Sequence, residues 1–330
     1  MSEATPKDTG NVDARGAGAG KTGESGFVLY AALAANFGIA VAKFVAAAIT
    51  GSSAMLTEGF HSVVDSLNQI LLLYGQKRAA RPPDELHPAG YGRELYFWSF
   101  VVAILIFATG AGLSIFEGVV HLRDPEPPQN ATVAYAVLAL SFVLEGASWM
   151  TAVRAFGQGK GEQGWWQAIR RSKDPPAFIV LFEDSAALVG LIIAGAGIWL
   201  SHTLGDARWD GIASIAIGVV LGVVAILLAR ESKGLLIGER ASPQLIAAIR
   251  AALDERAEVT GVGEVLTVHL GPQSVFVSAS VDFKDAVPVG RIEALIAEVE
   301  AALRRDWPEI DALYIKPRAG AAPGRTESDA

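Results

Sequence analysis

Six apolar segments dominate this sequence, and each is close to the roughly 20 residues that an α-helix needs to cross the hydrocarbon core of a bilayer. Only 19% of the 330 residues are charged, whereas soluble proteins carry about 25%, and the mean hydropathy is +0.36. We therefore predict an α-helical membrane protein with six transmembrane helices. Their approximate spans are 27–50, 54–76, 95–120, 131–154, 177–201 and 210–230.

Basic residues concentrate in the links that follow the second and fourth segments. In the links on the opposite side, the only basic residues are Arg123 and Arg208. By the positive-inside rule, the basic links and both chain ends face the cytoplasm. This pattern predicts an integral protein of a bacterial cytoplasmic membrane with cytoplasmic N and C termini. The basic links carry Lys77, Arg78, Arg81 and Arg93, and then Arg154, Lys160, Arg170, Arg171 and Lys173.

Both ends of the chain are polar. Residues 1–25 are rich in glycine and lack hydrophobic periodicity, which predicts a disordered N-terminal tail. They also lack the apolar core of a cleavable signal peptide, so we expect the first membrane helix to direct insertion. We assign residues 26–232 to the transmembrane domain and residues 319–330 to a disordered C-terminal tail.

After residue 232 the long apolar segments end, and residues 233–318 are predicted to form a small cytoplasmic α+β domain. Ser242 is placed to cap a helix that runs to about Ala257, and a second helix is expected over about 289–305. Alternating apolar residues predict strands over 265–270 and 275–283, and a short last strand over 312–315. The order αββαβ is typical of the ferredoxin-like type.

Ionisable side chains interrupt the second apolar segment at helical spacing. Glu58, His61 and Asp65 are three and four residues apart, so their side chains share one face of a helix. Such groups are costly inside a membrane and usually mark an ion path. The fifth segment contributes Glu183 and Asp184, and the two segments together could supply the ligands of a cation.

The sequence also limits the chemistry of such a site. The chain has no cysteine, so a metal site must use His, Asp, Glu or Asn, which suit zinc, divalent iron, manganese or cobalt. These ligands bind metal when they are deprotonated, so loading the site should release protons. A net charge of -8 argues against a nucleic-acid partner. The expected partners are a divalent metal ion, protons and the lipid bilayer.

Four stretches of the chain together resemble the cation diffusion facilitator family of metal/proton antiporters. In that family, a His or Asp followed four residues later by Asp on the second helix binds the transported ion. The resemblance therefore implies this role for His61 and Asp65, and it implies a homodimer. It covers roughly residues 27–316 and rests on Gly51–Asp65, His87–Glu94, Glu183–Gly190 and Val268–Pro272.

The family usually repeats the same spacing on the fifth helix. Asp184 matches the expected Asp, but the position four residues earlier is Val180, which cannot bind metal. Glu183 lies about 100° around the helix from Asp184, so we expect it to contribute only if the helix rotates or bends. A water molecule, Asn36 and Glu145 are other expected sources of a fourth ligand.

Glu145 and His269 each allow two interpretations. Glu145 is an intramembrane acid that could bind the ion or accept a proton, or it could pair with Lys43 in the first segment. His269 lies in the soluble domain, where members of the family often bind regulatory metal, but no cluster of His and acids surrounds it in the sequence. We expect no resident cofactor, only a divalent metal as substrate and, at His269, as a regulator.

The predicted function is secondary transport that exports a divalent transition metal from the cytoplasm in exchange for protons, and the chain is not expected to be an enzyme. Two alternatives remain open. A membrane-embedded metal hydrolase would use His61, Asp65 and Asp184 as zinc ligands and Glu58 as general base. A non-transporting scaffold would use the membrane part as an anchor, which leaves the cost of its ionisable groups unexplained.

Overall fold

The computed structural model describes residues 21–125, 130–160 and 164–318, with side chains from residue 36 onward. In these ranges a bundle of long helices is followed by a small domain with a three-stranded sheet. The third long span is interrupted by a π-helical segment, Ile106–Ala111. The helices of the bundle are α1 (Lys21–Thr50), α2 (Ser53–Ala79), α3 (Glu94–Leu105), α4 (Gly112–Arg123), α5 (Ala131–Gly159), α6 (Trp165–Arg171), α7 (Pro175–Leu204) and α8 (Arg208–Ile237).

Four helical spans in the described ranges are long and apolar enough to cross a membrane: 94–123, 131–158, 175–204 and 208–237. Helix α2 has a similar length, but its ionisable and amide side chains make it more polar. The part of α1 with described side chains forms a shorter apolar stretch, Asn36–Thr50. The predicted α-helical membrane protein is confirmed, and the count of six crossings stays a prediction.

The boundaries of the helical bundle differ from those predicted. Helix α1 begins at Lys21, so residues 21–25 are helical, because a membrane helix can continue into water beyond its apolar residues. Helix α8 continues to Ile237, past the predicted boundary at residue 232, because Leu235 is still buried in an apolar cluster. Residues 1–20 of the predicted N-terminal tail and the whole of the predicted C-terminal tail, 319–330, lie outside the described residues.

Two apolar clusters pack the bundle, one toward each end of α2 and α7. One cluster includes Met55 of α2 and Leu191 of α7. The other includes Leu72 of α2 and Phe178 of α7. The predicted ligands on both helices lie between these positions in the sequence, so the packing places the ionisable side chains near the middle of the bundle, away from both of its ends.

A buried carboxylate from another helix holds the N-terminus of α2. Asp210, in the first turn of α8, is 0% exposed and accepts hydrogen bonds from the Ser53 N–H (2.6 Å), the Ala54 N–H (3.3 Å) and the Ser52 hydroxyl (2.7 Å). The first N–H groups of a helix have no partner inside the helix, and the positive end of its dipole favours an anion. Asp210 therefore fixes the start of the helix that carries the predicted ligands.

We expect Asp210→Asn to destabilise the protein by about 1–2 kcal/mol, because the amide keeps the shape of the side chain but loses its charge and one acceptor oxygen. The measurement is the apparent melting temperature in detergent. A matched control is Asp206→Asn, which changes an exposed aspartate just before α8. Equal melting temperatures for the two variants would show that Asp210 does not stabilise the bundle.

The chain after α8 forms the predicted αββαβ domain. Its elements are α9 (Pro243–Asp254), β1 (Val259–Gly271), β2 (Ser274–Phe283), α10 (Val289–Asp306) and β3 (Ile310–Pro317). Strand β2 lies in the middle of the sheet, antiparallel to β1 and parallel to β3. Its alternate residues Val275, Val277, Ala279 and Val281 are fully buried, which confirms the predicted alternation, and α9 and α10 pack their apolar faces on them. Strands β1 and β3 are longer than predicted, because pairing with β2 extends them beyond their apolar stretches.

The loop between α2 and α3 packs directly against the turn between β1 and β2. A Cβ atom at Gly92 would lie 2.4 Å from the Leu270 carbonyl oxygen, so any side chain there would push the two backbones apart. Asp84 shapes the loop by accepting hydrogen bonds from the Tyr91 hydroxyl (2.6 Å) and the His87 N–H (2.7 Å), and these donors lower the pKa of Asp84 below its usual range. The helical bundle and the αββαβ domain thus meet at a backbone contact.

Candidate functional site

Helices α1, α2, α5 and α7 surround a cavity of about 40 Å³ between the two apolar clusters. A water molecule needs roughly 10–15 Å³ of such space, so the cavity has room for a few waters or for one ion that has lost part of its hydration shell. Four acids line it: Asp65, Glu145, Glu183 and Asp184. Amides and hydroxyls complete the polar lining: Asn36, which the sequence singled out, and Ser62, Gln69 and Ser148.

Asp65 on α2 and Glu183 on α7 both line the cavity, and their carboxyl groups are near enough to interact. The Asn68 side-chain amide donates to Glu183 Oε1 over 2.9 Å. Two carboxyl groups form a hydrogen bond only when one of them carries a proton, because two carboxylates repel each other. This pair can therefore hold either a proton or, with both groups ionised, a cation.

His61 lies beside Asp65, as their spacing predicted, although the described residues that line the cavity do not include it. The His61 Nδ1 atom is 3.5 Å from Asp65 Oδ1, which is longer than a normal N–H···O hydrogen bond. The ring is 2% exposed, and neither nitrogen has a hydrogen-bond partner among the described residues. Buried polar atoms are normally partnered, so His61 keeps two unused nitrogens next to a predicted ligand.

Glu183 and Asp184 both line the cavity, so Glu183 reaches it from its own position on α7, and the expectation that it needs a helix rotation to bind metal stays a prediction. Asp184 Oδ2 accepts a hydrogen bond from the Ser148 hydroxyl of α5 over 2.9 Å, whereas Glu183 bonds to Asn68 of α2. The cavity lies where α7 meets both of these helices. The side chains of two adjacent residues can therefore both reach the cavity, although they leave α7 in directions about 100° apart.

The predicted ligand set is assembled only in part. Val180 lines the cavity, as its place one turn before Asp184 requires, and offers no atom that binds metal. His61 contacts Asp65, and Asp65 shares the cavity with Asp184. In the part of the chain that the structure describes, no group of three or more His, Asp or Glu side chains is close enough to hold a metal ion. Ion binding therefore requires these side chains or their helices to close on the ion.

Lys43 of α1 links two of the intramembrane acids. Its Nζ is 3.0 Å from Glu58 Oε2 and 2.8 Å from Glu145 Oε1, and the side chains of Lys43 and Glu58 are 0% exposed. The structural interpretation of Glu145, a pair with Lys43, is therefore observed, and Glu145 lines the cavity as well. Because Glu58 is held by the same lysine, it is not placed as the general base that the hydrolase alternative requires.

Sequence reasoning missed three polar residues of the cavity. Ser62 and Gln69 gave a usable signal, because they lie three residues before and four residues after Asp65 on the same helical face. Ser148 gave none. Its place in the site comes from its contact with Asp184 on α7, and a contact between two distant helices is not visible in a single sequence.

His269 lies in β1 and is 7% exposed. Its Nδ1 atom is 3.3 Å from the Gly271 carbonyl oxygen, and burial lowers the pKa of the imidazole below its usual value. Its charged neighbours include Lys173 as well as Glu239. The described residues place no further His or acids around it that would complete a metal site. A regulatory metal at His269 therefore stays a prediction.

Two relatives cover about three quarters of this chain. A protein named proton-coupled zinc antiporter SLC30A9, mitochondrial, from Xenopus laevis is 34% identical over 247 residues, which are 74% of this chain and 44% of the relative. Metal tolerance protein C4 from Arabidopsis thaliana is 35% identical over 260 residues, which are 78% of this chain and 57% of the relative. The chain thus spans about half the length of these two proteins.

A bacterial relative is covered more fully. The cation-efflux pump FieF from Serratia proteamaculans is 26% identical over 273 residues, which are 82% of this chain and 85% of the relative. Among solved structures, the MamM CTD in a nickel form is 18% identical and covers 24% of this chain and 99% of its own, but the TM-score of 0.22 is too low to support an argument.

The family assignment rests on the helical bundle. The family model of the cation efflux transmembrane domain matches residues 29–237, well over half of the chain. The relatives described above are named as transporters or metal tolerance proteins rather than enzymes, in agreement with the expectation that this chain is not an enzyme. The chain belongs to the cation diffusion facilitator family, the cation efflux family of metal transporters.

Proposed function

We propose that the protein exports a divalent transition-metal cation from the cytoplasm in exchange for protons. The observation that carries this proposal is the cavity between α1, α2, α5 and α7, which four carboxyl side chains line near the middle of the bundle. Acids are expensive in a membrane and are found where they serve an ion or a proton. A scaffold that only anchors the αββαβ domain has no use for them.

The size of the cavity favours an ion over an organic substrate. A volume of about 40 Å³ is far below the roughly 300 Å³ of the smallest usual ligand pockets. With Glu58 engaged by Lys43, the hydrolase alternative lacks both a substrate pocket and a free general base. We therefore set it aside in favour of transport.

We propose Asp65, Glu183 and Asp184 as carboxylate ligands of the transported ion, with His61 joining after a side-chain rotation. Glu145 and Asn36 line the same cavity, but the charge of Glu145 is neutralised by its ion pair with Lys43, and the amide of Asn36 carries no charge. They are weaker candidates for this reason. Metal displaces protons from its ligands, so a proton shared by the neighbouring carboxyl groups of Asp65 and Glu183 would leave when the ion enters, which couples the two fluxes.

Zinc is the first candidate for the transported metal, because the relative from Xenopus laevis is named as a proton-coupled zinc antiporter. Manganese is the second. The described lining of the cavity is rich in oxygen atoms and includes no imidazole, and oxygen ligands suit manganese better than zinc. A relative from Bacillus subtilis, 21% identical over 292 residues, is named manganese efflux system protein MneP.

The test is metal uptake into proteoliposomes with an imposed pH gradient, acid inside, for zinc, manganese, iron and cobalt in turn. Antiport predicts that metal enters as protons leave, and that uptake falls when the gradient is collapsed. Uptake at the same rate with and without the gradient would contradict the exchange. No uptake of any of the four metals by a correctly folded protein would contradict transport itself.

We expect Val180→His to raise zinc transport relative to manganese by about tenfold, because it adds an imidazole to the wall of the cavity one helical turn from Asp184. The measurement is the ratio of zinc to manganese uptake in the same proteoliposomes. Val189→His is the matched control, since Val189 lies on α7 but is 42% exposed. An unchanged ratio in Val180→His would show that an imidazole at this position does not reach the ion.

We also propose that the protein is a homodimer in a bacterial cytoplasmic membrane, with the αββαβ domain in the cytoplasm. The basic links support this orientation, since Arg171 and Lys173 lie beside that domain in the structure. Cysteine accessibility tests it directly, because the natural chain has no cysteine. A cysteine introduced at Ser242 should react only when reagent reaches the cytoplasmic side.

A further inference from the structure

A second cavity, of about 490 Å³, lies between the helical bundle and the αββαβ domain. The bundle contributes Arg170, Arg171 and Lys173, from the end of α6 and the link to α7. The αββαβ side contributes Arg240 and the first turn of α9. Four basic side chains from two separate parts of the chain therefore meet around one space, and none of the residues that line it lines the proposed transport site.

The positive charge of this cavity is only partly neutralised. Two acids, Glu239 and Glu309, also line it, and Glu239 pairs with Lys173. The three arginines Arg170, Arg171 and Arg240 form no ion pair with any described residue. Like charges gathered at the rim of a cavity attract an anion, and guanidinium groups suit the oxygen atoms of phosphate in particular.

Neutral donors add to this preference. The cavity is lined by Ser242 and Gln244 at the N-terminus of α9, where backbone N–H groups and the helix dipole favour a negative group. His269 also lines the cavity and is 7% exposed. Its Nδ1 donates to the Gly271 carbonyl oxygen over 3.3 Å, so the Nε2 of the neutral ring is an acceptor. The donors that this cavity offers to an anion are therefore the basic side chains and the start of α9.

Helix α6 indicates that the anion belongs to a lipid. Its first two residues, Trp165 and Trp166, are 43% and 54% exposed, and exposed tryptophans are typical of the boundary between membrane and water. A neighbouring cavity of about 340 Å³ is lined by Trp166 together with Arg170 and Arg171. The same two arginines thus border both the surface at the tryptophans and the larger cavity, which gives a headgroup a route from the membrane surface.

We propose that this cavity binds the phosphate group of an anionic phospholipid in the leaflet on the side of the αββαβ domain. Arg171 and Arg240 would hold the phosphate from the two sides, and Trp165 and Trp166 would contact the glycerol and upper acyl chains. The bound lipid would then join the helical bundle to the αββαβ domain. This proposal does not depend on the transport function, because it uses none of the residues proposed to bind metal.

The test uses the full chain in nanodiscs that contain phosphatidylcholine and phosphatidylglycerol in equal amounts, followed by native mass spectrometry of the released protein. We expect the unchanged protein to retain phosphatidylglycerol in preference. Arg171→Gln and Arg240→Gln should each weaken this retention about fivefold, as expected for one cation near an anionic surface. The matched control combines Lys77→Gln with Arg250→Gln, which removes two exposed charges outside the cavity, and it should retain the lipid normally.

Two results would overturn the proposal. One is equal retention of phosphatidylglycerol by the double variant Arg171→Gln/Arg240→Gln and by the control. The other is displacement of the lipid by inorganic phosphate at a modest excess, which would assign the cavity to a soluble phosphate ester. Both arginines are exposed and lack ion pairs with the described residues, so the variants should fold. If the double variant fails to fold, the lipid retention of each single variant is compared with that of the control.

Discussion

Asp65→Asn is expected to reduce metal transport by at least about 100-fold, since even residues that only support a metal ligand cost 10–100-fold when they are changed. The amide keeps the size of the side chain but removes its charge, and a divalent cation that has lost part of its hydration shell needs charged ligands. Asp65 shares the cavity with Glu183 and Asp184 of α7, and its Oδ1 is 3.5 Å from the His61 Nδ1, so it lies among all the other proposed ligands. The measurement is the initial rate of uptake at a fixed pH gradient.

Two controls separate the loss of a ligand from the loss of the fold. Asp124→Asn changes an exposed aspartate that follows α4, and this variant should transport at the normal rate. Asp65→Asn should keep the normal apparent melting temperature, because an amide can still donate a hydrogen bond to Glu183. Transport by folded Asp65→Asn at more than about a tenth of the normal rate would remove Asp65 from the site.

Lys43→Met is expected to destabilise the protein by about 3–5 kcal/mol, the usual cost of removing one partner from a buried ion pair. The change leaves Glu58 and Glu145 without their cation in the interior of the bundle. Glu58 is 0% exposed, and its second oxygen already has no hydrogen-bond partner in the described structure. The measurement is the apparent melting temperature in detergent, with Lys77→Met, an exposed lysine at the end of α2, as the control.

Neutral partners should restore the stability that Lys43→Met removes. In the triple variant Lys43→Met/Glu58→Gln/Glu145→Gln no charge is left unpaired, and replacing a whole buried ion pair by neutral groups is often close to neutral for stability. We expect a melting temperature near that of the unchanged protein. If the triple variant melts as early as Lys43→Met, the lysine acts through packing of its long side chain and not through its charge.

Much of the fold follows from the sequence because two periodicities are clear in it. Apolar runs of membrane length predicted the long helices, and alternation in β2 predicted the strand at the centre of the sheet. The π-helical segment Ile106–Ala111 was not predicted. It lies inside a continuous apolar span, where a change in helix type leaves the pattern of apolar residues unaltered and depends on packing against α8.

The site was predictable along each helix but not between helices. The spacing of His61 and Asp65 placed them side by side, as the structure shows. The hydrogen bond between Glu183 and Asn68 of α2 depends on the angle at which α7 crosses its neighbours. The same holds for the hydrogen bond between Ser148 and Asp184. Helical spacing gives the angle between two side chains on one helix, but it does not give the width of the cavity they face.

The backbone contact at Gly92 also sets an order of events during synthesis. Its partner, the turn at Leu270 and Gly271, is made about 180 residues after the loop that carries Gly92. At about 5–20 residues per second on the ribosome, the turn is therefore synthesised roughly 9–36 seconds after the loop. During this interval the membrane-crossing helices that follow the loop have to enter the membrane before the loop has its partner. The contact between the bundle and the αββαβ domain can therefore form only after these helices have been made.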